Sequence, residues 1–311
     1  MDRPWAAEAV VDAAFAARLI ASQFPELTQA AVVPIHAGWD NTVFRVDDRY
    51  VFRFPRRQIA VPLLQHELRS LPLLAPRLPA AIPLPLFEGH PTAEYPWPFA
   101  GYAYLPGRRA AGCSLDLHAR QRLAHQLGQF LKALHAIPPG DLPAGSLPLD
   151  EYERLNTQRR FMPTRERLSH LHEIGVLPDP APVLAILSEA PEPAIADTRV
   201  IAHGDLHMGQ ILLTDDNRLS AVIDWGDIHL GDRAVDFTII HQLLPSTCHD
   251  AFFEAYGDVN PLGWRLARAR AAWHAVALLV SATDAGDRPL ADEAVLALGL
   301  LTSTGGELTE R

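Results

Sequence analysis

The stretch Val200-Ile-Ala-His-Gly-Asp-Leu-His-Met-Gly-Gln-Ile-Leu-Leu-Thr214, then Asp215-Asp-Asn-Arg218, then Leu219-Ser-Ala-Val-Ile-Asp-Trp-Gly-Asp227, decides how the rest of the chain is read. Two short apolar runs, Ile211-Leu-Leu213 and Ala221-Val-Ile223, flank a polar Asp-Asn turn, which is the signature of a hairpin. Asp205 precedes the first strand and Asp224 follows the second, so closing the hairpin brings both carboxylates to one end. With the amide of Gln210 beside them, the set offers hard oxygen ligands and suits a magnesium-phosphate site. Acids at strand ends are also ordinary turn residues, and at this point that reading stays open.

Composition bounds the class. Of 311 residues, 48% are hydrophobic and 21% charged, which suits a soluble globular protein of one or two domains whose core needs no disulfides. Cys113 and Cys248 supply no disulfide framework and fit a reducing cytoplasm. The first residues lack the cationic start and apolar run of a signal peptide. Ala271 to Ala282 is interrupted by His274 and is too short to span a bilayer, so no membrane partner is expected. A net charge of -10 argues against non-specific nucleic-acid binding, and no nucleic-acid partner is expected. It is compatible with a solubilising surface or with a cationic substrate. No repeat and no Cys/His spacing typical of zinc is visible.

Upstream of the hairpin, Ala6 to Phe24 reads as an amphipathic helix closed by Pro25. Ala31 to His36 is a short strand and Gly38-Trp-Asp-Asn41 a turn. Thr42 to Val46 and Tyr50 to Phe54 form a hairpin across Asp47-Asp48-Arg49. Arg56 and Arg57 read as solvated loop charges. Val61 to Ala75 is helical, with Leu64, Leu68 and Leu71 on one face and Pro72 expected to kink or end it. Ile82 to Phe87 is extended, an edge strand by its prolines. Phe99 to Leu105 is a further strand, broken by Pro106-Gly107.

Leu123, Leu127, Phe130, Leu131, Leu134 and Ile137 put one apolar face on a helix from His118 to Ile137, with His135 as a surface or capping residue. A charged helix is expected from Glu151 to Leu171, broken at Pro163, and a short one from Val183 to Glu189. Asp150, Glu151, Glu153 and Glu166 either line a pocket or form a solvated face. Past the hairpin, a helix is expected from Gly231 to Leu244, with Asp232 as N-cap and Asp236 in its first turn. Asp250 to Tyr256, Trp264 to Ala282 and Ala291 to Leu301 complete a helical C-terminal half.

The order His203-Gly-Asp205, four residues, Gln210, then Asp224-Trp-Gly226 resembles the catalytic core of the aminoglycoside/macrolide phosphotransferase family, which is kinase-like. The resemblance implies an α+β, bilobal protein-kinase-like fold: a small antiparallel-sheet lobe over residues 1–105 and a mostly helical lobe over 106–311. It implies ATP or GTP with Mg2+ as cofactors. Asp205 would be the catalytic base, with Asp224 and Gln210 as metal ligands. Arg53 would meet the phosphates and Glu67 would pair with it. Asn41 and Thr42, in the hairpin over the phosphates, and Tyr104, in the interlobe hinge, would complete the nucleotide site. His203 would buttress the loop and Asp236 would hydrogen-bond its backbone. The roles of His207 and Asp227 stay open.

Several positions depart from the family's usual wording. Gln210 stands for Asn, Arg53 for Lys, Trp225 for Phe, and Arg233 for Pro in Gly-Asp-Pro-x-x-Asp. Gln carries its amide oxygen one methylene further out. Arg keeps the charge and binds phosphate bidentately. The macrolide branch also departs from Asn in this loop and carries Arg-Xaa-Pro-Arg-Arg, as in Arg53-Phe-Pro-Arg-Arg57, which tilts the reading towards it. The implied activity is transfer of a γ-phosphate to a small-molecule hydroxyl, most naturally on an aminoglycoside or macrolide. A choline, homoserine or sugar kinase uses the same framework. A nucleotide-binding pseudokinase is the reading from a different class.

Overall fold

The computed structural model describes residues 7–38, 40–193 and 199–303. Trp39 of the expected turn and the first residues, on which the signal-peptide reading rests, lie outside them.

Strands β1 (Val32–Ala37), β2 (Asn41–Val46), β3 (Tyr50–Pro55), β4 (Pro85–Gly89) and β5 (Phe99–Ala103) form one antiparallel sheet in the order β1-β2-β3-β5-β4. The β2–β3 turn works because Asp47 and Asp48 take φ of 52° and 53°, a left-handed geometry that Asp tolerates better than most residues. Strand periodicity then sorts the side chains. One face sends Phe44, Phe52, Phe54 and Phe99 into an aromatic core with Tyr95, Trp97 and helix α1 (Ala13–Gln23). The other face presents Asn41, Val43, Val51, Arg53 and Tyr102 to a cleft. The Val43↔Arg53 and Val51↔Tyr102 pairings keep these residues in one patch.

Helix α1 starts later than its alanines suggest. Asp12 accepts a hydrogen bond from the Phe15 N–H and caps it, while Glu8 and Ala9 donate their N–H groups to the Arg56 carbonyl instead. Helix α2 (Ala60–Leu74) carries Pro72 within it and ends two residues later in a 3-10 turn. A proline that close to the C-terminus leaves little helix to disrupt.

The second lobe is mostly helical: α3 (Leu117–His135), α4 (Thr157–Glu173), α5 (Ala181–Ser188), α6 (Thr238–Leu243), α7 (His249–Tyr256), α8 (Pro261–Ala285) and α9 (Arg288–Thr302). Three short ladders thread it. β6 (Arg108–Arg109), β8 (Ile211–Leu213) and β9 (Leu219–Val222) form one sheet in the order β6-β8-β9. β7 (Val200–Ala202) pairs antiparallel with β10 (His229–Gly231). The apolar face of α3 packs against α7 closely enough that a Cβ on Gly128 would stand 2.8 Å from the Ala255 Cβ. The large core takes in α3, β8, Trp225, Phe237, Phe252 and Trp264, and also Leu64 and Leu71 of α2 with Tyr102 of β5.

Two other helices differ from expectation. Asn156 accepts from the Arg159 N–H and starts α4 six residues after Glu151, and the helix runs through Pro163 without a break. The segment after Gly231 is a 3-10 turn, Arg233–Val235, capped by Asp232, followed by the separate helix α6. Among the described residues, no helix is long and apolar enough to cross a membrane.

Candidate active site

A cleft of about 1120 Å³ separates the sheet from the helical lobe. Asp205, His207, Gln210, Asp224 and Asp227 reach it from below; Asn41, Arg53 and Glu67 reach it from above, and Tyr104 lies at its hinge side. Thr42 is the exception among the expected residues. It shares the pleat face of Phe44, and does not line the cleft.

Arg53 joins the two walls. Its Nη1 donates to Glu67 Oε1 at 2.7 Å and its Nη2 to Asp224 Oδ1 at 2.8 Å. Tyr102 Oη donates to the other Glu67 oxygen at 2.6 Å. Glu67 is only 1% exposed, and burial pushes its carboxyl pKa up while Arg53 and Tyr102 pull it back. Burial disfavours the Arg53 charge too, but Glu67 and Asp224 outweigh this and raise its pKa. Removing either partner of a pair this enclosed would strand the other. Arg56 donates to the Gly38 carbonyl and Arg57 to Asp40, so these cations brace the loop above the cleft and are not solvated as expected.

Asp224 sits at φ 65°, in left-handed backbone that a non-glycine residue adopts at a cost of about 1–3 kcal/mol and that is concentrated at functional sites. Its side chain is half-exposed to the cleft. Burial of the site would raise its pKa, yet Arg53 holds it below the usual carboxylate range.

Asp205 is held from beneath. Burial again opposes its charge, and His274, His207 and Arg270 overcome that and drive its pKa well down. His274 Nε2 stands 3.1 Å and Arg270 Nη2 3.6 Å from Asp205 Oδ1. Arg270 also donates to the Gly204 carbonyl at 2.8 Å and to Thr238 Oγ1 at 3.1 Å. Asp236, fully buried, accepts the N–H groups of His203 (2.8 Å) and Gly204 (2.9 Å). Burial raises its pKa, but His135, 3.1 Å away, and the backbone donors bring it to about 2. His135 is therefore a buried strut between Asp236 and Tyr256, where a surface or capping residue was expected. Gly204 takes φ 91°, and a Cβ there would meet the Asp227 carbonyl at 2.2 Å, so only glycine fits.

His203 is buried, packs its ring at a tilt 4.7 Å from that of Trp225 and contacts the Ile223 carbonyl at 3.1 Å, which ties the Asp205 loop to the strand leading to Asp224. His207 faces the cleft. Its Nδ1 accepts the Gly209 N–H, and burial lowers its pKa to about 4. Gln210 Oε1 accepts the His207 N–H at 3.3 Å, so its amide oxygen closes the loop as well as facing the cleft. Asp227 pairs with Arg154, which also binds Asp150 at 2.6 Å. Asp150 thus serves as a brace, and Glu151, Glu153 and Glu166 are exposed away from the cleft.

A magnesium ion with phosphates fits this donor set. Asp224 offers a half-exposed carboxylate with one oxygen outside the Arg53 contact, and Gln210 a neutral oxygen. Among the described residues no cluster of three His, Cys, Asp or Glu forms a metal cage. Magnesium bound through few protein oxygens, phosphates and waters needs none.

Sequence reading missed His274, Arg270, Gln242 and Arg154, and it took Tyr102 as the start of the hinge without its hydrogen bond to Glu67. Only His274 had a visible signal, as the polar interruption of an apolar helix. From it outward, Ala277, Leu278, Ser281, Ala282 and Ala285 recur at helical spacing along the cleft wall, continued by Leu290 of α9.

Comparison with known proteins bears on the fold and the family. Among curated proteins, no sequence matches this one. The fold matches the GDP complex of an aminoglycoside 2'-phosphotransferase-IIIa at TM-score 0.69 and 22% identity, covering 94% of this chain and 99% of that one. A macrolide 2'-phosphotransferase type I matches at TM-score 0.58 and 21% identity, covering 96% and 100%. The macrolide 2'-phosphotransferase MphH from Brachybacterium faecium matches at TM-score 0.54 and 25% identity, covering 86% and 91%. The model of the APH family, described as the phosphotransferase enzyme family, matches residues 31–292, and with a kinase-like fold built around this cleft the chain belongs to that family.

Proposed function

We propose that the protein transfers the γ-phosphate of ATP or GTP to a hydroxyl of a small molecule, with Asp205 as the base. The observation that carries this reading is the meeting of Asp205, Asp224 and the Arg53–Glu67 pair in one cleft. The lobe boundary is placed between Leu105 and Pro106. Phosphoryl transfer asks for alignment and charge stabilisation more than covalent chemistry. Arg53, oriented by Glu67, would bind nucleotide phosphate. Asp224 and Gln210 would hold magnesium, which supplies charge neutralisation at the phosphates. Asn41 and Tyr104 border the nucleotide space; the Asn41 side-chain oxygen is buried without a hydrogen-bond partner. Asp205 would accept the acceptor hydroxyl's hydrogen bond and take its proton as transfer proceeds. Its depressed pKa suits a loose transition state, in which orienting the hydroxyl matters more than early deprotonation. Use of a nucleoside triphosphate fits a cytoplasmic protein.

Antibiotics are the proposed acceptors, and the apolar stripe along α8 favours a macrolide over an aminoglycoside. A polycationic sugar would want several carboxylates along that wall, where Ala277, Leu278, Ala282, Ala285 and Leu290 stand with Asp287 as the one acid among them. A macrolide offers a large apolar ring to cover them. The test is nucleoside diphosphate release with MgATP and MgGTP on erythromycin, kanamycin and choline. Release that depends on erythromycin and vanishes in Asp205→Asn is expected. Release with kanamycin or choline alone would displace the macrolide reading, and magnesium-nucleotide binding without turnover on any acceptor would favour a pseudokinase.

A further inference from the structure

The Asp205 loop is held by two separate sets of contacts. Its backbone is fixed by Asp236, through the His203 and Gly204 N–H groups, and by Arg270, through the Gly204 carbonyl. Arg270 Nη2 also lies 3.6 Å from Asp205 Oδ1, an ion-pair distance longer than a hydrogen bond, so neither set gives the carboxylate a hydrogen bond that fixes its rotation. A carboxylate that must take a proton from a bound hydroxyl needs one oxygen aimed at it, so the other oxygen needs a partner of its own. That partner is on α8. His274 Nε2 lies 3.1 Å from Asp205 Oδ1, and the ring is 7% exposed on the cleft wall.

The proton on that ring can be located. Gln242, 1% exposed, places its side-chain nitrogen 3.2 Å from the Ala271 carbonyl and 3.2 Å from His274 Nδ1. Only the amide nitrogen, and not the amide oxygen, can sit against a carbonyl. Both of its protons are then used, one on Ala271 and one on the ring. His274 Nδ1 must accept, so the ring carries its proton on Nε2, facing Asp205.

We propose that His274, with its tautomer set by Gln242, is a positioning residue that holds Asp205 Oδ1 and leaves Oδ2 to the acceptor hydroxyl. This rests on the reading of Asp205 as the base. Because the contact lies beneath the acceptor and not at the phosphates, its loss reduces turnover while nucleotide binding stays intact. A misplacement of about 1 Å at a reacting group costs on the order of 10²-fold in rate.

The experiment compares wild type, His274→Ala, His274→Gln, Gln242→Leu and Asp205→Asn. Rates are measured with MgATP and erythromycin, and with MgATP alone, where water is the acceptor. The ring nitrogens of His274 are observed by 15N NMR. His274→Ala is expected to lose roughly 10- to 100-fold in kcat with the MgATP KM unchanged. His274→Gln, which keeps a donor at the reach of Nε2, should recover much of it. Gln242→Leu should cost less and broaden the tautomer signal. In the wild type, NMR should show Nε2 protonated and Nδ1 bare. Full kcat in His274→Ala beside an inactive Asp205→Asn would overturn the positioning role alone. An active Asp205→Asn would instead sink the base assignment. If no acceptor is turned over or His274→Ala fails to fold, the wild-type spectrum decides, since a proton on Nδ1 with Nε2 bare is incompatible with the proposal.

Discussion

Asp205 and Asp224 leave the two strands of one hairpin, yet different regions of the molecule hold them. Everything that restrains Asp205 belongs to the helical lobe: Asp236 and Arg270 on the backbone, His274 on the carboxylate. Asp224 takes its nearest partner, Arg53, from the opposite lobe, 171 residues away in sequence. The difference separates the two tasks. The carboxylate assigned to the acceptor is set by contacts within one lobe. The carboxylate assigned to the metal is set jointly, so its charge environment depends on the lobes being apposed.

That contrast can be broken at several points. The largest effect is expected for Asp205→Asn, which should lower kcat by about 10²–10⁴-fold while the nucleotide Kd stays near the wild-type value. A rate measurement paired with a nucleotide titration checks it, and a matching loss of nucleotide affinity would mean that the two acids are not functionally separate. Asp224→Ala should do the opposite, losing the magnesium dependence of nucleotide binding; titrations with and without Mg2+ would show it. Unaltered magnesium dependence would remove Asp224 from the metal site.

Asp236→Ala tests the support beneath Asp205. It strands the His203 and Gly204 N–H groups and leaves His135 without its acid partner, so a loss of about 2–5 kcal/mol is expected in urea unfolding. A loss below 1 kcal/mol would show that the loop is held mainly by Arg270.

The smallest effect lies away from both acids and serves as their control. Glu293 on α9 is 6% exposed, has an oxygen with no partner, and is pushed by burial, with Asp287 adding to it and Arg109 opposing, from 4.5 to about 7. Its folded pKa exceeds its unfolded one, so the folded state holds the proton more tightly. Stability from this group is present below about 4.5 and is lost as pH rises through about 7. Glu293→Gln should therefore stabilise the protein by about 1–3 kcal/mol at pH 8 and leave it unchanged at pH 4. Thermal unfolding at the two pH values measures this, and equal shifts at both would refute it.

Much of this was legible in the sequence. The hairpins were, because alternation and Asp-rich turns are local signals, and the Arg53–Glu67 pair was, through the family resemblance. Asp236 was correctly assigned to the loop backbone. Thr42 was expected at the nucleotide site together with Asn41, but neighbouring strand residues face opposite ways, and which pleat face meets the cleft depends on where the aromatic core forms. Helix starts were misread where a cap overrode composition, as at Asp12 and Asn156. His274, Arg270 and Gln242 were invisible as a group, since Gln242 lies on α6 and the other two on α8, and only the packing of those helices brings them together.

The sequence by itself determined the hairpin with its two acids, because this rests on periodicity and on spacing along one segment, and the ordered motif on that segment carried the family resemblance that implied the fold and the cation facing the acids. Only the tertiary structure decided which partners hold each acid, that His135 is a buried strut, and that α8 lays an apolar stripe along the cleft. Those contacts join residues 32 to 171 positions apart, and which of them meet depends on how the helices pack around the core.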